Sequence, residues 1–341
     1  MPRHTSDFDY PLPPDLIAQH PLEQRGTSRL LVIHRDTGEL EDRAFGDFPS
    51  LLTPGDLLVL NTTRVRHARL IGARPSGAPA EVLLIHPAAD GTWIAMGKPG
   101  SALRPGQRVT LGDGVFVETV SVYENGNRSV RFIGANADEV IRRFGRLPLP
   151  PYIDREPDAS DEAGYQTVYA EREGSVAAPT AGLHFTNEGL HRVQANGVGI
   201  ARIDLEVGPG TFKPVETEDL ARHPMHPERY DISAEVVAQV ERTRSDGRQV
   251  WAVGTTVVRA LESAAAGGKL QPGAGETSLM ITPGYRFRAV DRLLTNFHLP
   301  RSTLLMLVSA FAGHELVLRA YRHAVEQRYR FYSYGDAMAI L

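Results

Sequence analysis

The sequence contains no cysteine in its 341 residues. A disulfide, a thiolate nucleophile and a cysteine-ligated zinc or iron–sulfur centre are therefore excluded, and this absence is typical of a reducing cytoplasm. Long apolar runs are also missing. The nearest approach is residues 304–312, which include Ser309, whereas a membrane-spanning helix needs roughly 20 apolar residues. Residues 1–10 lack the apolar core of a signal peptide. We expect a cytoplasmic protein that binds no membrane.

A positive net charge is also absent, because 37 Lys and Arg stand against 41 Asp and Glu. This balance argues against bulk electrostatic binding of nucleic acid, although phosphate recognition depends on local patches. Three basic clusters are present: Arg64, Arg66, His67, Arg69 and Arg74; Arg142, Arg143 and Arg146; and Arg319, Arg322, Arg328 and Arg330. A phosphate-binding groove and an ordinary solvated surface both fit each cluster.

Strand and helix patterns alternate over most of the chain. Apolar runs at residues 29–34, 56–60, 249–253 and 293–297 predict buried strands, and residues 187–195, 233–244 and 257–266 predict helices. Residues 161–173 also have a helical composition. This alternation is typical of an α/β domain with helices on both faces of a sheet.

Residues 68–133 differ from their surroundings, because six short β-like runs recur there between Gly, Pro, Asn and Asp turns. Such spacing predicts a small closed antiparallel β-barrel or a sandwich. We expect a layered α/β main domain formed by residues 1–65 and 150–341, with residues 66–149 inserted as a β-barrel domain.

Residues 175–185, SVAAPTAGLHF, combine small side chains with Pro179, Gly182 and His184. Proline disfavours a helix through the centre, and glycine lets a backbone approach a ligand closely. The segment therefore predicts a ligand-binding loop in which His184 titrates near neutral pH. A plain turn whose histidine caps a neighbouring element fits the same residues.

Three further segments, at residues 61–64, 254–256 and 296–303, are predicted to lead from a strand through small or polar residues into a helix. Helix N-termini bind carboxylates, phosphates and ribose hydroxyls. No nucleotide-binding fingerprint is present. Thr255 and Thr256 suit either a ligand or simple N-capping. Arg259 and Glu262, on one face of the following helix, are predicted to pair.

Two histidine-containing segments leave alternatives open. Asn296, Phe297 and His298 suit a planar base or sugar, but a buried histidine bound to a backbone carbonyl is an equal alternative. Residues 223–228, HPMHPE, offer two imidazoles and a carboxylate. Their prolines imply an extended chain and their ligands are few, so a metal site is the weaker interpretation.

Eight segments spread along the whole chain resemble the S-adenosylmethionine:tRNA ribosyltransferase-isomerases of queuosine biosynthesis. They are DFDYPLP (7–13), NTTRV (61–65), APTAGLHF (178–185), VGPGTFKPV (207–215), HPMHPE (223–228), GTTVVRALES (254–263), LTNFHLPRSTLL (294–305) and FYSYGDAM (331–338).

The resemblance implies a transferase that uses S-adenosylmethionine (AdoMet) as a ribosyl donor. The acceptor would be the aminomethyl nitrogen of 7-aminomethyl-7-deazaguanine in the tRNA anticodon loop. The ribosyl group would be transferred and isomerised, giving epoxyqueuosine in tRNA with release of adenine and methionine. AdoMet would be a co-substrate, with no permanently bound cofactor and no metal, in a cytoplasmic enzyme. We also expect a monomer. An α/β domain with an inserted β-barrel is the fold that the family implies.

This chemistry needs a base for the proton beside the sulfonium, and a proton or hydrogen bonds for the departing adenine. The candidates for proton transfer are His184, His298 and His226. The candidates for substrate binding are Thr180, Gly182, Gly210, Thr211, Thr255, Thr256, Arg259, Glu262, Asn296 and Asp336. The candidates for tRNA binding are Arg64, Arg66 and Arg69.

Three other functions fit parts of the same sequence: a noncatalytic RNA-binding protein that uses the barrel as its platform, an AdoMet-binding regulator, and a metal hydrolase. Consumption of AdoMet with release of adenine excludes the first two. Loss of activity with a chelator identifies the third.

Overall fold

The structure is a computed structural model, and it describes residues 2–212, 215 and 217–341, apart from the side chains of residues 211 and 212. Its strands are β1 (Arg29–Ile33), β2 (Leu40–Ala44), β3 (Leu57–Asn61), β4 (Thr63–Val65), β5 (Arg69–Ala73), β6 (Pro79–Pro87), β7 (Trp93–Lys98), β8 (Arg108–Gly112), β9 (Val115–Val122), β10 (Arg128–Ile133), β11 (Gly145–Arg146), β12 (Arg172–Ser175), β13 (Gly199–Leu205), β14 (Glu228–Ile232), β15 (Val250–Val253), β16 (Gly273–Thr277), β17 (Arg292–Asn296) and β18 (Ala337–Ile340).

The α-helices are α1 (Ala137–Phe144), α2 (Ala159–Gly164), α3 (Asn187–Ala195), α4 (Ala234–Ser245), α5 (Thr255–Ala264), α6 (Thr303–Ala312) and α7 (His314–Glu326). Short 3₁₀ helices lie at Thr5–Phe8, Pro14–Leu16, Phe45–Leu51, Gly100–Ala102, Thr180–His184, Pro209–Phe212 and Leu220–Arg222.

A nine-stranded mixed sheet forms the larger part of the molecule, in the order β16-β14-β13-β3-β15-β17-β18-β1-β2. Its centre, β13, β3, β15 and β17, is parallel. Successive residues of β3 point to opposite faces: Leu57 and Val59 enter one hydrophobic core, while Leu58 and Leu60 enter the other. A strand buried on both faces needs the continuous apolar run that the sequence shows.

Helices cover both faces of this sheet. On one face, α5 contributes Val257 and Leu261 to the core; on the other, α3 contributes Leu190 and Val193. The hydroxyl of Ser233 accepts a hydrogen bond from the first turn of α4, so the N-cap predicted there is present. The predicted mixed α/β fold is confirmed.

A second sheet of seven strands takes all of its strands from residues 69–146. Its order is β11-β5-β6-β7-β10-β9-β8, and neighbouring strands pair antiparallel. Strands β5 and β8 also meet at the pair Ala73–Thr110. It has its own hydrophobic core. The boundaries predicted for the two domains, at residues 65–66 and 149–150, remain predictions.

Two local predictions were wrong. The helix predicted over residues 161–173 ends at Gly164, and Arg172–Ser175 forms β12, which pairs in parallel with β4. For the same reason residues 61–64 lead into β4 rather than into a helix. In both cases a strand pairing between residues about a hundred positions apart in sequence outweighs local propensity.

Among the described residues, no single helix is long and apolar enough to cross a membrane. Helices α6 and α7 taken together would be long and apolar enough, but the chain bends by 115° at the break between them.

Candidate active site

A cavity opens beside the carboxyl ends of the central strands, and we call it the main cavity. Val207 follows β13, Gly254 follows β15 and Asn296 ends β17, and all three line the cavity. This edge of a parallel sheet is where α/β proteins usually bind ligands. The segments at residues 254–256 and 296–303, which the sequence predicted to bind a ligand at strand ends, therefore contribute residues to this cavity.

The N-terminus of α5 forms one wall of the main cavity through Thr255 and Thr256. Gly254 is the N-cap residue with a φ of 92°, and no side chain caps the helix. The hydroxyl of Thr256 is buried, with no hydrogen-bond partner among the described residues. Simple N-capping is therefore not the role of these threonines, and a hydroxyl without a partner is left at the cavity wall.

Asn296 is held at the cavity by two hydrogen bonds of its amide nitrogen. Its Nδ2 atom donates to the carbonyl oxygen of Tyr332 at 3.1 Å and lies 3.1 Å from Nε2 of His184. The amide oxygen is buried and has no partner in the part of the chain that the structure describes. Because a carbonyl oxygen only accepts, the orientation of the amide is fixed, and Oδ1 is available to a donor on a ligand.

The hydrogen bonds of His184 fix its tautomer. Nε2 accepts from Asn296, so the proton is on Nδ1, which lies 2.8 Å from the hydroxyl of Ser28. Burial, assisted by the charges of Arg25 and Arg330, lowers the pKa of His184 to about 3. The prediction that His184 titrates near neutral pH was wrong, because a buried imidazole beside two cations stays neutral.

His298 lines the main cavity directly. Its Nε2 atom lies 2.9 Å from the hydroxyl of Thr295, so its partner is not the backbone carbonyl that the alternative interpretation required. Burial lowers the pKa of His298 to about 3. The hydroxyl of Tyr321 accepts a hydrogen bond from the His298 backbone N–H at 3.0 Å and holds this residue in place.

Residues 178–181 form another wall, which includes Thr180. Gly182 faces away from the cavity: a β-carbon at this position would lie 2.0 Å from the hydroxyl oxygen of Tyr169. Gly182 therefore permits the close packing of the 3₁₀ helix Thr180–His184 against Tyr169, and it does not line the main cavity.

The segment at residues 208–210 is tied to α5 through a buried ion pair. Glu228 accepts a hydrogen bond from the backbone N–H of Gly208 and pairs with the guanidinium of Arg259. The ring of His226 packs against Gly210, and neither residue lines the main cavity. The side chain of Thr211 lies outside the described residues.

Arg259 and Glu262 do not pair with each other, contrary to the prediction. Arg259 turns towards Glu228, whereas Glu262 accepts hydrogen bonds from the hydroxyl of Tyr285 and from the backbone N–H groups of residues 288–290. Long-range partners outweigh the weak attraction of a helical pair. Glu262 lines a different cavity, and it is not among the residues of the main cavity.

Asp336 also lies outside the main cavity. Its two carboxylate oxygens accept the backbone N–H groups of Arg29 and Arg330, both at 2.8 Å. Burial raises the pKa of Asp336, against the two backbone N–H groups, which lower it. These contacts join β1 to the segment before β18, so the geometry gives Asp336 a structural role.

The three arginines predicted to bind tRNA already have contacts within the protein. Arg64 donates to the carbonyl oxygen of Ala170 at 2.7 Å. Arg66 lies over the ring of Trp93. Arg69 binds Glu156 through two hydrogen bonds and Glu81 through an ion pair. Of the three, Arg69 is the least available to a phosphate.

Sequence reasoning missed two aromatic residues of the main cavity. Tyr152 and Tyr332 stack with their ring centroids 4.4 Å apart, and both line the cavity. Tyr332 has a φ of 72° and a buried hydroxyl without a partner among the described residues. A bulky residue with positive φ is uncommon and often marks a functional site. Tyr332 lies within the segment FYSYGDAM, in which the sequence predicted only Asp336 as a site residue.

Among the described residues, no group of three or more His, Asp or Glu side chains could hold a metal ion. His226 and the neighbouring Glu228 have protein partners.

A cavity at the carboxyl edge of an α/β sheet, lined by aromatic rings and polar atoms without partners, is typical of a protein with a small-molecule site. A family model described as "Queuosine biosynthesis protein" matches residues 5–340. The chain belongs to the queuosine biosynthesis protein family, as its sequence motifs predicted.

The relatives agree with this family. The chain is 54% identical to an S-adenosylmethionine:tRNA ribosyltransferase-isomerase of Symbiobacterium thermophilum, with 98% of this chain and 99% of the relative covered. It is 53% identical to a protein of the same name from Azoarcus sp., with 98% and 96% covered. The crystal structure of S-adenosylmethionine tRNA ribosyltransferase from Thermotoga maritima has a TM-score of 0.58 and 38% identity, with 98% of this chain and 100% of that chain covered.

Proposed function

We propose that this protein is a transferase that moves and isomerises the ribosyl group of AdoMet onto 7-aminomethyl-7-deazaguanine in tRNA, giving epoxyqueuosine-tRNA, adenine and methionine. The observation that carries this function is the match to ribosyltransferase-isomerases at 50–54% identity over 98% of the chain. The names of these relatives confirm the class of enzyme predicted from the sequence.

The main cavity is the proposed AdoMet site. Its lining combines apolar and aromatic side chains with a few polar groups, as is usual in small-molecule sites. The stacked rings of Tyr152 and Tyr332 offer an aromatic surface to adenine, and Oδ1 of Asn296 can accept a hydrogen bond from its amino group. The hydroxyls of Thr256 and Tyr332 supply further contacts for ribose or methionine.

The two buried histidines take different roles in this proposal. Both are neutral at pH 7, because burial lowers their pKa values to about 3. His298 faces the cavity, so it is the candidate that can accept a proton from the reacting groups. His184 contacts the cavity only through Asn296, so we assign it a positioning role. His226 lies outside the main cavity and is the weakest of the three candidates.

The tRNA would approach with its target base splayed out of the anticodon loop, because a stacked base cannot enter a cavity. Arg64 and Arg66 remain the proposed phosphate contacts. The pair Ala73–Thr110 joins β5, the second strand in the order of the seven-stranded sheet, to its last strand β8, which supports the proposal that this sheet closes into a barrel. The monomeric state, the cytoplasmic location and the absence of a permanent cofactor also remain proposals.

The direct test incubates the protein with AdoMet, with and without tRNA that carries the aminomethyl-deazaguanine base. Adenine and methionine should form in step with modified tRNA, and a chelator should not change the rate. If AdoMet stays intact while the tRNA binds, the function fails and an RNA-binding protein becomes the better explanation.

A further inference from the structure

A second cavity is lined by His184 and shares Ser333 with the main cavity, and we call it the second cavity. Arg25, Ser28 and His184 line it, and Pro21 with Leu22 adds an apolar edge. Leu22 is one of the few large hydrophobic residues in the described chain that are exposed, at 37%. None of Pro21, Leu22 and Arg25 lines the main cavity.

Two arginines with incomplete hydrogen bonding lie at or beside this cavity. Arg25 lines it. Arg330 lies beside it, because its charge acts on the lining residue His184 and its chain continues to the lining residue Ser333. The Nη1 atoms of both guanidinium groups are buried and lack a partner among the described residues. Within the same described part of the chain, neither arginine forms an ion pair within 4.0 Å. Buried donors normally have acceptors, so an acceptor from outside the chain is expected here.

The other contacts of the two guanidinium groups hold them in place without neutralising them. Arg25 donates to the carbonyl oxygen of Ala163, and Arg330 donates to that of His20. The nearby carboxylate is Asp336, whose oxygens are both taken by backbone N–H groups. The electrostatic effect of both arginines reaches His184. A cavity lined by one cation, with a second cation beside it and the neighbouring carboxylate already engaged, favours an anionic ligand.

The second cavity adjoins the main one. Ser333 lines both cavities. The hydrogen bond between His184 and Asn296 joins a residue that lines the second cavity to one that lines the main cavity. A ligand that fills both cavities would therefore place an anionic group only a short distance from the reacting groups.

We propose that the second cavity is an oxyanion subsite, in which Arg25 and Arg330 bind a phosphate diester or a carboxylate of a substrate held in the main cavity. Guanidinium groups bind both kinds of oxyanion through charge-assisted hydrogen bonds. This proposal rests on the proposed function, which supplies two sources: the phosphate beside the target nucleotide of the tRNA, and the carboxylate of the methionine moiety of AdoMet.

The test compares Arg25→Gln and Arg330→Gln with Arg242→Gln, which removes the charge of an exposed arginine on α4. Each variant is first checked for native circular dichroism. The KM for a modified anticodon stem-loop is then measured at several salt concentrations, and AdoMet binding is measured by calorimetry. Decarboxylated AdoMet is the second ligand, because it lacks the carboxylate.

A phosphate ligand predicts that KM for the stem-loop rises at least roughly tenfold in both variants, with a salt slope smaller by about one and unchanged AdoMet affinity. A carboxylate ligand predicts instead that AdoMet affinity falls at least roughly tenfold, while the affinity for decarboxylated AdoMet stays as in the native protein. Either result supports the subsite. If all of these quantities stay within about twofold of Arg242→Gln, the proposal is wrong.

A second pair of variants tests the same subsite at an exposed position, so that the result does not depend on replacing either arginine. Leu22→Glu places a negative charge at the apolar edge of the second cavity, and Leu22→Gln is its neutral control at an exposed position. The subsite predicts weaker stem-loop or AdoMet binding for Leu22→Glu alone, and equal binding by the two variants overturns it. Failure of the proposed function is a separate result, because the native protein would then release no adenine.

Discussion

The amide nitrogen of Asn296 lies 3.1 Å from Nε2 of His184 and 3.1 Å from the carbonyl oxygen of Tyr332. One side chain at the end of β17 therefore connects two segments that are 112 and 36 residues away in sequence. These bonds hold a neutral imidazole in one tautomer. They also leave the buried amide oxygen of a cavity-lining residue without a partner in the part of the chain that the structure describes. The proposed AdoMet site depends on this junction.

Asn296→Asp should abolish most activity. A carboxylate cannot donate to the carbonyl of Tyr332 or to Nε2 of His184, and each lost buried hydrogen bond costs about 1–3 kcal/mol. We expect the rate of adenine release to fall by roughly a hundredfold. Asn61→Asp is the matched control, because Nδ2 of Asn61 also donates to a carbonyl, that of Leu205, away from the cavity. It should reduce stability and leave the KM for AdoMet unchanged. Native turnover in Asn296→Asp would contradict the assignment.

The two buried histidines should make the protein sensitive to acid. Burial lowers the pKa values of His184 and His298 from 6.5 to about 3, so the unfolded chain binds more protons between these values. The stability that they contribute is present above pH 6.5 and is lost as the pH falls towards 3, at up to about 1.4 kcal/mol per pH unit for each histidine.

Urea unfolding of the native protein and of His298→Gln, measured between pH 7 and pH 4, tests this expectation. The free energy of unfolding should fall less steeply in the variant. Asp336, whose pKa burial raises, contributes with the opposite sign, so the comparison between the two proteins is more informative than either slope. Parallel slopes would show that His298 is charged or exposed in the folded protein.

Local sequence patterns were sufficient to predict the strands and helix ends that surround this site. They were insufficient to predict the contacts of its side chains. The apolar run of β3 and the serine cap of α4 are local features, so both were predictable. Gly254 directly follows β15 and Asn296 ends β17. These positions indicated the edge of the sheet where the cavity lies. The partner of Arg259 was not predictable, because Glu228 is 31 residues away and reaches it only after the sheet has formed.

Glu262→Ala should destabilise the protein without changing its affinity for AdoMet. The carboxylate is fully buried and accepts from Tyr285 and three backbone N–H groups. Loss of this acceptor leaves several donors unsatisfied at about 1–3 kcal/mol each, so a loss of at least roughly 3 kcal/mol is expected. Chemical denaturation measures the loss, and calorimetry below the melting range measures AdoMet binding. A stable variant that binds AdoMet weakly would return Glu262 to the substrate site.

The buried pair of Arg259 and Glu228 should be worth more than its exposed counterparts. Their side chains are 7% and 4% exposed, so Arg259→Leu leaves a buried carboxylate without its cation, at a cost of about 3–5 kcal/mol. The double variant Arg259→Leu with Glu228→Gln should recover part of this loss, because the uncompensated charge is gone. Arg229→Leu, which removes an exposed ion pair with Glu276, is the control and should cost less than about 1 kcal/mol. Additive losses in the double variant would contradict this coupling.

Thr256→Val separates binding from stability most clearly. The hydroxyl of Thr256 is buried without a partner among the described residues, so valine, which has the same shape, should leave the stability equal or higher. If that hydroxyl binds the substrate, the KM for AdoMet should rise roughly tenfold. Thr63→Val is the opposite case: its hydroxyl lies 2.7 Å from that of Ser175, away from the main cavity, so stability should fall while KM stays constant. Thermal unfolding and adenine-release kinetics of both variants give the four values. A Thr256→Val protein that loses stability and keeps its KM would place the hydroxyl in the fold rather than in the site.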